Sequence, residues 1–436
     1  MSSLADSFHS APLDDDLRSG LESQGLQVSR VGDDDRAAAD RWLDAMSRGF
    51  LDGERNDSQR AESFARSRYR RKVGVYDPQS VQPDEPVATF ASWGADLTLP
   101  GGATVPMCAV SSVTVAPTHR RRGILSRVMR GELRTAVAQG FPIAGLTVSE
   151  SGIYGRFGFA PAAAAATWEI ATRRARWIGP EAPGRLDYVT REQGRDAAAR
   201  LHERTRLASP GEIDMPGGHW DRFFGTRPDA EKAEKLRAVQ YRSPDGEVDG
   251  VALYSVSENE DDWAASTANV VLLLAATDAA YAGLWRFLLS LDLIGTVRAS
   301  ELSVDEPLWW MIADQRAARI RIQDHQYLRI LDVPATLQAR TYDVDDVIAL
   351  EVSDPLEIAA GTFVLSAGEE PGVDVVDDPP LGVPLVRLGV AELSAILLGG
   401  VSPVTLARAG RIETDDSHRV ARVFSSTTTP RLSFWY

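Results

Sequence analysis

Short runs of alternating polar and apolar residues precede one long helix-like stripe. The run LQVSRV, which begins at Leu26, alternates as a strand does, and so do RKVGVYD, PVATFASWGADLTL and TVPMCAVSSVTV. After Val115 the apolar period changes from two residues to about 3.6, and one apolar stripe covers residues 124–137 and ends before Gly140. The strand-like run PIAGLTV follows. This order predicts antiparallel strands that lead into a strand–helix–strand crossover, a mixed α/β arrangement.

The same pattern of strand-like and helix-like runs recurs once along the chain and then changes. Residues 166–325 repeat strand-like and helix-like runs, but no arginine-glycine turn precedes their late helix, AAYAGLWRFLLSLD. From residue 326 onward, short strands mix with two or three helices, which predicts an α+β module. Residues 1–25 are rich in Ser and Asp and lack periodicity. We therefore predict a mobile tail over 1–25, an α/β domain over 26–165, a second, degenerate α/β domain over 166–325 and a module over 326–436.

Charge and composition restrict the partners. The 47 basic and 62 acidic residues give a net charge of −15, which disfavours nucleic acid as the partner and favours cationic ligands, although such a charge serves solubility equally well. The chain contains no run of about 18 apolar residues, so no membrane span is predicted, and its start does not resemble a secretory signal. A single cysteine, Cys108, excludes an internal disulfide and fits a cytoplasmic protein. Its strand-like surroundings favour buried packing over a nucleophilic role.

The candidate binding site is the turn PTHRRRG, between the strand that ends at Val115 and the helix that follows Gly123. A helix start presents unpaired amide N–H groups, and a glycine lets a phosphate approach the backbone. Arg120, Arg121 and Arg122 add guanidinium groups that suit phosphate oxygens. The pattern predicts a diphosphate site. The alternative, a solvated basic turn or a nucleic-acid patch, is disfavoured by the flanking strand and apolar helix.

Two stretches resemble a known family. VSSVTVAPTHRRRGILSRVM is similar to the acyl-CoA signature of the GNAT superfamily of N-acetyltransferases, Arg/Gln-x-x-Gly-x-Gly/Ala, with Arg120 and Gly123 matching and Leu125 departing. SESGIYGRFGFAPA, together with LWRFLLSLD, LRILDVPATLQAR and an aromatic last residue, resembles the Eis (enhanced intracellular survival) acetyltransferases. The resemblance covers nearly everything after residue 25. It implies tandem GNAT acetyltransferase-like domains, the second without cofactor, and a C-terminal domain with a sterol-carrier-protein-like fold.

The resemblance also implies two catalytic groups. Tyr154 of GIYGRFGF corresponds to the general acid, and the C-terminal carboxylate of Tyr436 corresponds to the general base. A phenol with a reference pKa of ~10 is a credible proton donor to a departing thiolate, whereas an α-carboxylate of pKa ~3.3–3.7 needs desolvation or an intervening water to act as a base. The alternatives are that Tyr154 is an aromatic packing residue and that the ending SFWY is a docked last strand; both are disfavoured.

Acetyl-CoA is the implied acyl donor, and no metal is implied. We expect backbone groups of the strand end to hold the pantetheine arm and polarise the thioester carbonyl. We expect the arginine turn to hold the pyrophosphate and the end of the next strand to lie near the reacting group. Glu150 is alternatively a ligand for the substrate amine. The expected acetyl-CoA-binding residues are Val113, Thr114, Val115, Arg120, Arg121, Arg122, Gly123, Ile124, Leu125, Ser126, Ser149 and Glu150.

Other candidates carry weaker signals. His119 lies beside the arginines and is expected at the surface. Trp309 and Trp310 are expected in the core of the second domain, and Asp52 and Glu54 are expected in a solvated loop and not in a pocket for a cation. The remaining histidines of interest lack the spacing of metal ligands, so no metal is predicted; they are His202, His219, His325 and His418.

These observations favour an N-acetyltransferase. The resemblance implies that it transfers acetyl from acetyl-CoA to primary amines of polycationic small molecules, with aminoglycosides as the implied class, at one or several positions. The alternatives are acetylation of protein lysines and non-catalytic carriage of a lipid or acyl ligand. The resemblance further implies a homo-oligomer, a trimer or a hexamer.

Overall fold

The computed structural model describes residues 2–436, so Met1, the first residue of the expected tail, lies outside the described residues. The chain forms two compact units. The first unit contains the residues up to Ala163, Gln326–Thr427 and Tyr436, and the second contains Ala164–His325 and Thr428–Trp435. Within the described part, no helix combines the length and the apolar character needed to cross a membrane.

Strands and helices alternate through most of the chain. The strands, in chain order, are β1 (Gln27–Arg30), β2 (Arg71–Tyr76), β3 (Pro86–Thr98), β4 (Thr104–Val115), β5 (Ile143–Thr147), β6 (Ala160–Ala171), β7 (Arg185–Val189), β8 (Arg237–Arg242), β9 (Val248–Ser257), β10 (Ser266–Ala275), β11 (Ile294–Leu302), β12 (Ala318–Ile330), β13 (Asp346–Ser353), β14 (Gly361–Ala367), β15 (Gly372–Val376), β16 (Leu385–Gly389) and β17 (Ile412–Thr414). The helices, in chain order, are α1 (Ser2–Ser10), α2 (Asp15–Glu22), α3 (Arg36–Gly49), α4 (Asp57–Arg66), α5 (Ile124–Gln139), α6 (Thr172–Ala175), α7 (Arg191–Thr205), α8 (Gly217–Phe223), α9 (Asp278–Leu289), α10 (Leu308–Met311), α11 (Val333–Ala339), α12 (Val390–Ile396), α13 (Pro403–Arg408) and α14 (Ser417–Val423).

Two helices occupy the segment for which the sequence predicted a mobile tail. Phe8 in α1 and both Leu17 and Leu21 in α2 are buried in the core of the first unit. Asp14 caps α2, because its carboxylate accepts a hydrogen bond from the amide of Leu17 at 2.8 Å. The prediction of a mobile tail over residues 1–25 is therefore wrong for the described part of that segment. A few apolar residues at helical spacing suffice to bury one face of each helix despite the polar composition.

The first unit is built on a sheet whose neighbouring strands are β1, β2, β3, β4, β5 and the end of β12, in that order. β4 and β5 are parallel, and the other neighbours pair antiparallel. Helix α5 connects β4 to β5, which confirms the predicted crossover. The apolar stripe of α5 is exposed only near the C-terminal end of the helix, where the Val137 side chain is 40% exposed. The buried positions of the predicted stripe are Ile124, Val128, Met129 and Leu133.

The C-terminal module forms an α+β layer within the first unit. Its sheet has the strand order β15, β14, β13, β16, β17. β13 and β16 are parallel, whereas the other neighbours are antiparallel. β12 leads into α11, which Asp332 caps by accepting a hydrogen bond from the amide of Ala335 at 2.9 Å. This arrangement agrees with the α+β class predicted from residue 326 onward.

In the second unit, the successive neighbouring strands are β6, β11, β10, β9, β8 and β7. β10 and β11 are parallel and are connected by α9, so the unit repeats the strand–helix–strand crossover. Thr277 caps α9 by accepting a hydrogen bond from the amide of Ala280 at 3.2 Å. Helix α9 therefore begins with a side-chain cap, whereas the corresponding helix of the first unit, α5, begins at the arginine turn.

Replacing Phe8 by alanine tests whether helix α1 packs on the core of the first unit. The Phe8 ring is fully buried and meets the Phe141 ring edge-on, with the centroids 5.0 Å apart. Removing a buried phenylalanine side chain typically costs about 3–5 kcal/mol of stability. We expect Phe8→Ala to lower the urea midpoint of unfolding clearly, while Val81→Ala, at a side chain that is 99% exposed, leaves it unchanged. Equal midpoints for the two variants would contradict the packing of α1.

Candidate active site

The parallel strands β4 and β5 run side by side and then part. Their pairing extends from Met107 with Ile143 to Val110 with Leu146. β4 then continues to Val115 through a bulge, at which the pairing with β3 changes register and Ser112 has a φ of 55°. The edge of β4 beyond the paired region can therefore offer backbone groups to a ligand. Such edge amides suit an amide-bearing arm and can polarise a carbonyl.

The three strand-end residues predicted to bind the acyl donor differ in what they expose. Val113 and Val115 are half-buried, and the side chain of Thr114 is buried. The Thr114 hydroxyl lies 2.7 Å from the hydroxyl of Thr89, which also donates to the backbone oxygen of Ser112 at 2.9 Å. The Thr114 side chain thus secures the bulge, and only the backbone of this residue is suited to a ligand.

The turn after β4 enters α5 through a left-handed glycine. Gly123 has a φ of 73° and precedes the first helical residue, and no side chain in the described part of the chain caps this helix start. The first-turn amides belong to Ile124, Leu125 and Ser126, and they leave a site for an anion. A Cβ atom placed on Gly123 would meet nothing within 4 Å, so the approach to these amides is open. The fit to a pyrophosphate is therefore good.

All three arginines of the turn are exposed, and two of them make backbone contacts. Arg120 donates from Nε to the backbone oxygen of Val115 at 3.4 Å. Arg122 donates to the backbone oxygen of Gln24 at 3.4 Å. Arg121 adopts a left-handed φ of 63°. The turn is therefore shaped by backbone contacts, and its guanidinium groups remain near the helix start, where they add positive potential.

The His119 side chain links this turn to a neighbouring loop. It is half-buried, whereas the sequence predicted a surface position. Its Nε2 lies 3.0 Å from the carboxylate of Asp77, and its Nδ1 lies 2.8 Å from the hydroxyl of Thr118. The hydrogen bond from His119 lowers the pKa of Asp77 below its usual range. The imidazole is half-buried because it joins the turn to the loop after β2.

Tyr154 lies between two short helical turns that follow β5, Ser151–Ile153 and Gly155–Phe157. Its ring is buried and meets the ring of Phe159 edge-on at 6.2 Å. Burial, together with the charge of Glu150, raises the pKa of Tyr154 to about 12. The phenol therefore stays protonated across the physiological range and can donate a proton or a hydrogen bond. Ser149 and Glu150, in the preceding segment, are exposed.

The end of the chain lies at the end of β5. The hydroxyl of Thr147, the last residue of β5, donates to the terminal backbone oxygen of Tyr436 at 2.9 Å. The Tyr436 ring is buried and packs edge-on against Trp93, with the centroids 5.2 Å apart. Because Thr147 follows Leu146, the last β5 residue paired with β4, the backbone oxygen of Tyr436 lies beside the point where the two strands part. Tyr154 follows the same strand end in the chain.

Three contact residues around the chain end carried no recognisable sequence signal. Thr147 and Trp93 contact Tyr436 directly. The Arg70 guanidinium stacks over the Trp93 ring at 4.7 Å and donates to the hydroxyl of Ser112, at the β4 bulge, at 3.4 Å. Strand alternation gave their elements, but these contacts join residues far apart in the chain, which no local pattern reports.

The remaining residues considered in the sequence analysis lie in the core or at the surface and form no further site. Cys108 is buried, and burial raises the pKa of its thiol, which fits the predicted packing role. Trp309 packs edge-on against Trp168 at 6.0 Å, but Trp310 is 75% exposed, so the core prediction is wrong for Trp310. α10 is a single turn, and consecutive residues on it cannot both face the core. Asp52 and Glu54 are exposed.

The histidines of the second unit surround the residues just before the chain end. The rings of His202 and His219 lie 6.2 Å and 6.1 Å from the ring of Phe434. His325 contacts the backbone oxygen of Phe434 through Nε2 at 3.1 Å. These contacts are aromatic and hydrogen-bonded packing. Across residues 2–436, no group of three or more His, Cys, Asp or Glu side chains is arranged to hold a metal ion.

Comparisons with known proteins define the class. Residues 34–162 and 211–330 match family models described as acetyltransferase (GNAT) domains, and residues 333–433 match one described as a sterol carrier protein domain. The chain therefore consists of two GNAT domains followed by a sterol-carrier-like domain, and it is an N-acetyltransferase. GNAT domains use acetyl-CoA, so this is the acyl donor that the fold implies. The exact domain limits predicted from the sequence stay predictions.

Individual relatives narrow the family. The chain is 37% identical over 385 residues to an uncharacterized N-acetyltransferase of Streptomyces avermitilis, covering 85% of this chain and 89% of that protein. It is 35% identical over 340 residues to the N-acetyltransferase Eis of Mycobacterium tuberculosis, covering 75% and 79%. The crystal structure of Eis1 from Mycobacterium abscessus superposes with a TM-score of 0.78 at 29% identity, covering 94% of this chain and 100% of that one. This chain belongs to the Eis family of N-acetyltransferases.

Proposed function

We propose that this chain transfers acetyl from acetyl-CoA to primary amines of polycationic small molecules, with aminoglycosides as the acceptor class. Tyr154 would serve as the general acid and the Tyr436 carboxylate as the general base. The observation that carries the proposal is the hydrogen bond from Thr147 to the terminal oxygen of Tyr436, beside the point where β4 and β5 part. A chain end held there brings a carboxylate to the strand edge that suits a thioester.

The acyl donor would lie along the edge of β4 and end at the arginine turn. In this proposal the backbone of Val113 and Val115 binds the pantetheine arm and orients the acetyl carbonyl. The amides from Gly123 to Ser126 and the three arginines hold the pyrophosphate, and Ser149 lies near the reacting end. The open space above Gly123 and the uncapped start of α5 support this assignment.

A substitution at Gly123 tests the turn. An alanine there would carry a side chain at a left-handed φ of 73° and would fill the space through which a phosphate reaches the amides. We expect Gly123→Ala to raise the KM for acetyl-CoA about tenfold, equivalent to about 1.4 kcal/mol, with kcat nearly unchanged. Gly410→Ala is the matched control, because Gly410 has a φ of 70° and nothing within 4 Å of a built Cβ atom. An unchanged KM in Gly123→Ala would contradict the assignment.

The base would act in a second stage of the reaction and not on the free ammonium. A carboxylate of pKa ~3.5 is about 7 units too weak to take a proton from an ammonium of pKa ~10.4, a deficit of roughly 9 kcal/mol. As the amine nitrogen bonds to the acetyl carbon, its remaining protons become far more acidic. The Tyr436 carboxylate would hold the cationic acceptor by charge, and one ammonium group would lose its first proton to solvent. The free amine would then attack the acetyl carbon, and the carboxylate would accept the second proton from the same nitrogen, directly or through one water.

The acid would act at the sulfur. The departing thiolate needs a hydrogen-bond donor, and Tyr154 keeps its proton because its pKa is raised to about 12. The buried ring limits the phenol to few orientations.

The acceptor class follows from charge and from the family. A net charge of −15 attracts polycations, and the chain belongs to the Eis family. The test follows thiol release from acetyl-CoA with a panel of aminoglycosides, linear polyamines and lysine peptides. We predict the highest kcat/KM for aminoglycosides. Faster turnover of peptides would indicate a protein lysine acetyltransferase, and no turnover with any amine would refute the proposal.

We further propose that the protein is a cytoplasmic homo-oligomer, either a trimer or a hexamer.

A further inference from the structure

A buried aspartate in the C-terminal module organises the loop after β13. The Asp354 carboxylate accepts hydrogen bonds from the amides of Leu356 at 2.9 Å, Ile358 at 3.0 Å and Ala359 at 2.9 Å. Arg329, on β12, donates to the same carboxylate from Nη2 at 2.7 Å, and both side chains are fully buried. One carboxylate thus fixes three amides of a single loop and the guanidinium of a neighbouring strand.

The ordered loop packs on the hydrophobic cluster that contains Tyr154. Leu356 and Ile358 are half-buried against this cluster, which also includes Phe157 and Phe159 on either side of the turn that follows Tyr154. The loop that Asp354 holds therefore packs on the same hydrophobic cluster as the Tyr154 ring. A shift of the loop would therefore disturb the packing of the cluster in which the ring lies.

Arg329 reaches the same turn from its other side. Gly158 closes the turn after Tyr154 with a left-handed φ of 84°. A Cβ atom on Gly158 would lie 3.1 Å from the guanidinium carbon of Arg329 and 2.8 Å from the Val390 side chain. The guanidinium therefore lies close to Gly158 in this turn while it donates to the Asp354 carboxylate.

Part of the loop borders a cavity and is not closely packed. Ile358, Ala359 and Ala360 line a cavity of about 610 Å³ in the first unit, together with Leu331 and Phe363. Close packing cannot hold the loop on that side, so the hydrogen bonds to Asp354 are what fix its backbone. Burial acts to raise the pKa of Asp354, but the hydrogen bonds from Arg329 and the loop amides outweigh it and lower the pKa, so the tether stays charged at neutral pH.

We propose that Asp354 is a positioning residue that acts through Arg329 to hold Tyr154 in the orientation needed for proton donation. The C-terminal module then has a part in catalysis apart from supplying the chain end. This inference rests on the proposed role of Tyr154 as the acid. It requires that the loss of Asp354 harm the chemical step and not the binding of acetyl-CoA.

A buried ion pair also stabilises its surroundings, so a loss of activity alone would not distinguish the two roles. Breaking such a pair from one side is destabilising, and a weakened fold lowers activity without regard to the acid. A double-mutant cycle with Tyr154→Phe separates the cases, because only a positioning residue depends on the hydroxyl that it positions.

The experiment measures kcat and KM for Asp354→Asn in the wild-type and Tyr154→Phe backgrounds, with the melting temperature of each full-length variant. In the wild-type background we expect kcat to fall by about 10- to 100-fold, as misplacement of a catalytic group produces, with the KM for acetyl-CoA unchanged. In the Tyr154→Phe background the same change should cost nothing further. The matched control is Asp346→Asn, which removes a different aspartate–arginine pair of the same module, Asp346 with Arg419, and should retain wild-type kcat.

Arg329→Lys provides a second route should Asp354→Asn fail to fold. Lysine keeps the charge opposite Asp354 but lacks the planar guanidinium that lies close to Gly158, so the same hydroxyl-dependent loss is expected. Equal losses with and without the Tyr154 hydroxyl would overturn the proposal, and so would an unchanged kcat in a folded Asp354 or Arg329 variant. Failure of the proposed function has a different signature, since Tyr154→Phe alone would then keep wild-type kcat.

Discussion

Adding three residues after Tyr436 will lower kcat by about 10²–10⁴-fold, the range of general acid–base contributions, and leave the KM for acetyl-CoA nearly unchanged. The extension converts the terminal carboxylate into a neutral amide at the position where the Thr147 hydroxyl donates to it. An amide cannot accept the proton that the amine must lose. The arginine turn, which would bind acetyl-CoA, is chemically untouched, so the loss should be confined to kcat.

The control for the extension inserts the same three residues at Leu381, which is fully exposed in the loop before β16. This variant carries the same added length and should keep wild-type kcat. A finer version replaces the carboxylate with a carboxamide by semisynthesis, so that only the terminal group changes. Wild-type kcat in the extended or amidated protein would exclude the chain end as the base.

Tyr154→Phe will lower kcat by about 10²–10³-fold with little change in KM, because it removes the donor to the thiolate and leaves the buried ring in place. The penalty should shrink with an acyl donor whose thiol has a lower pKa, because a better leaving group needs less protonation. Steady-state kinetics with acetyl-CoA and with an acetyl thioester of a more acidic thiol measure both effects. An equal penalty for the two donors would contradict the role of Tyr154 as the acid.

The pH dependence provides an independent check on the same residue. An acid works while it is protonated, and the pKa of Tyr154 is raised to about 12 from a reference value of 10.0. Activity should therefore show no decline attributable to Tyr154 between pH 7 and about 10, a range in which an unperturbed phenol begins to ionise. Comparison of the wild-type and Tyr154→Phe pH profiles measures this. A descending limb near pH 9 that disappears in Tyr154→Phe would contradict the raised pKa.

Local signals were sufficient to predict the turn that would bind the pyrophosphate. One short segment contains a strand that ends at Val115, the glycine at position 123 and an apolar stripe at helical spacing. The structure has each of these features, and Gly123 adopts a left-handed conformation. The stripe is incomplete only at Val137, whose burial depends on what packs beside the last turn of α5 and not on the helix itself. Periodicity predicts a face, and tertiary neighbours decide where that face ends.

The features that sequence reasoning missed depend on distant neighbours. The contact of Thr147 with Tyr436 joins residues 289 positions apart, and no local pattern reports such a pair. The α1 helix was missed because its few apolar residues are scattered among serines and become meaningful only once Phe8 meets the core. The Asp354 tether is equally invisible, because an aspartate after a strand normally indicates an exposed turn. Burial against Arg329 gives it a different role.

The most direct measurement is a crystal structure of the full chain with acetyl-CoA bound. We expect the pyrophosphate to lie at the start of α5 and the thioester to lie along β4 beside Val113. We expect a terminal oxygen of Tyr436 to lie within the reach of one water, about 4–6 Å from the acetyl carbonyl carbon. Terminal oxygens more than about 10 Å from that carbon, beyond the reach of a single bridging water, would contradict this expectation.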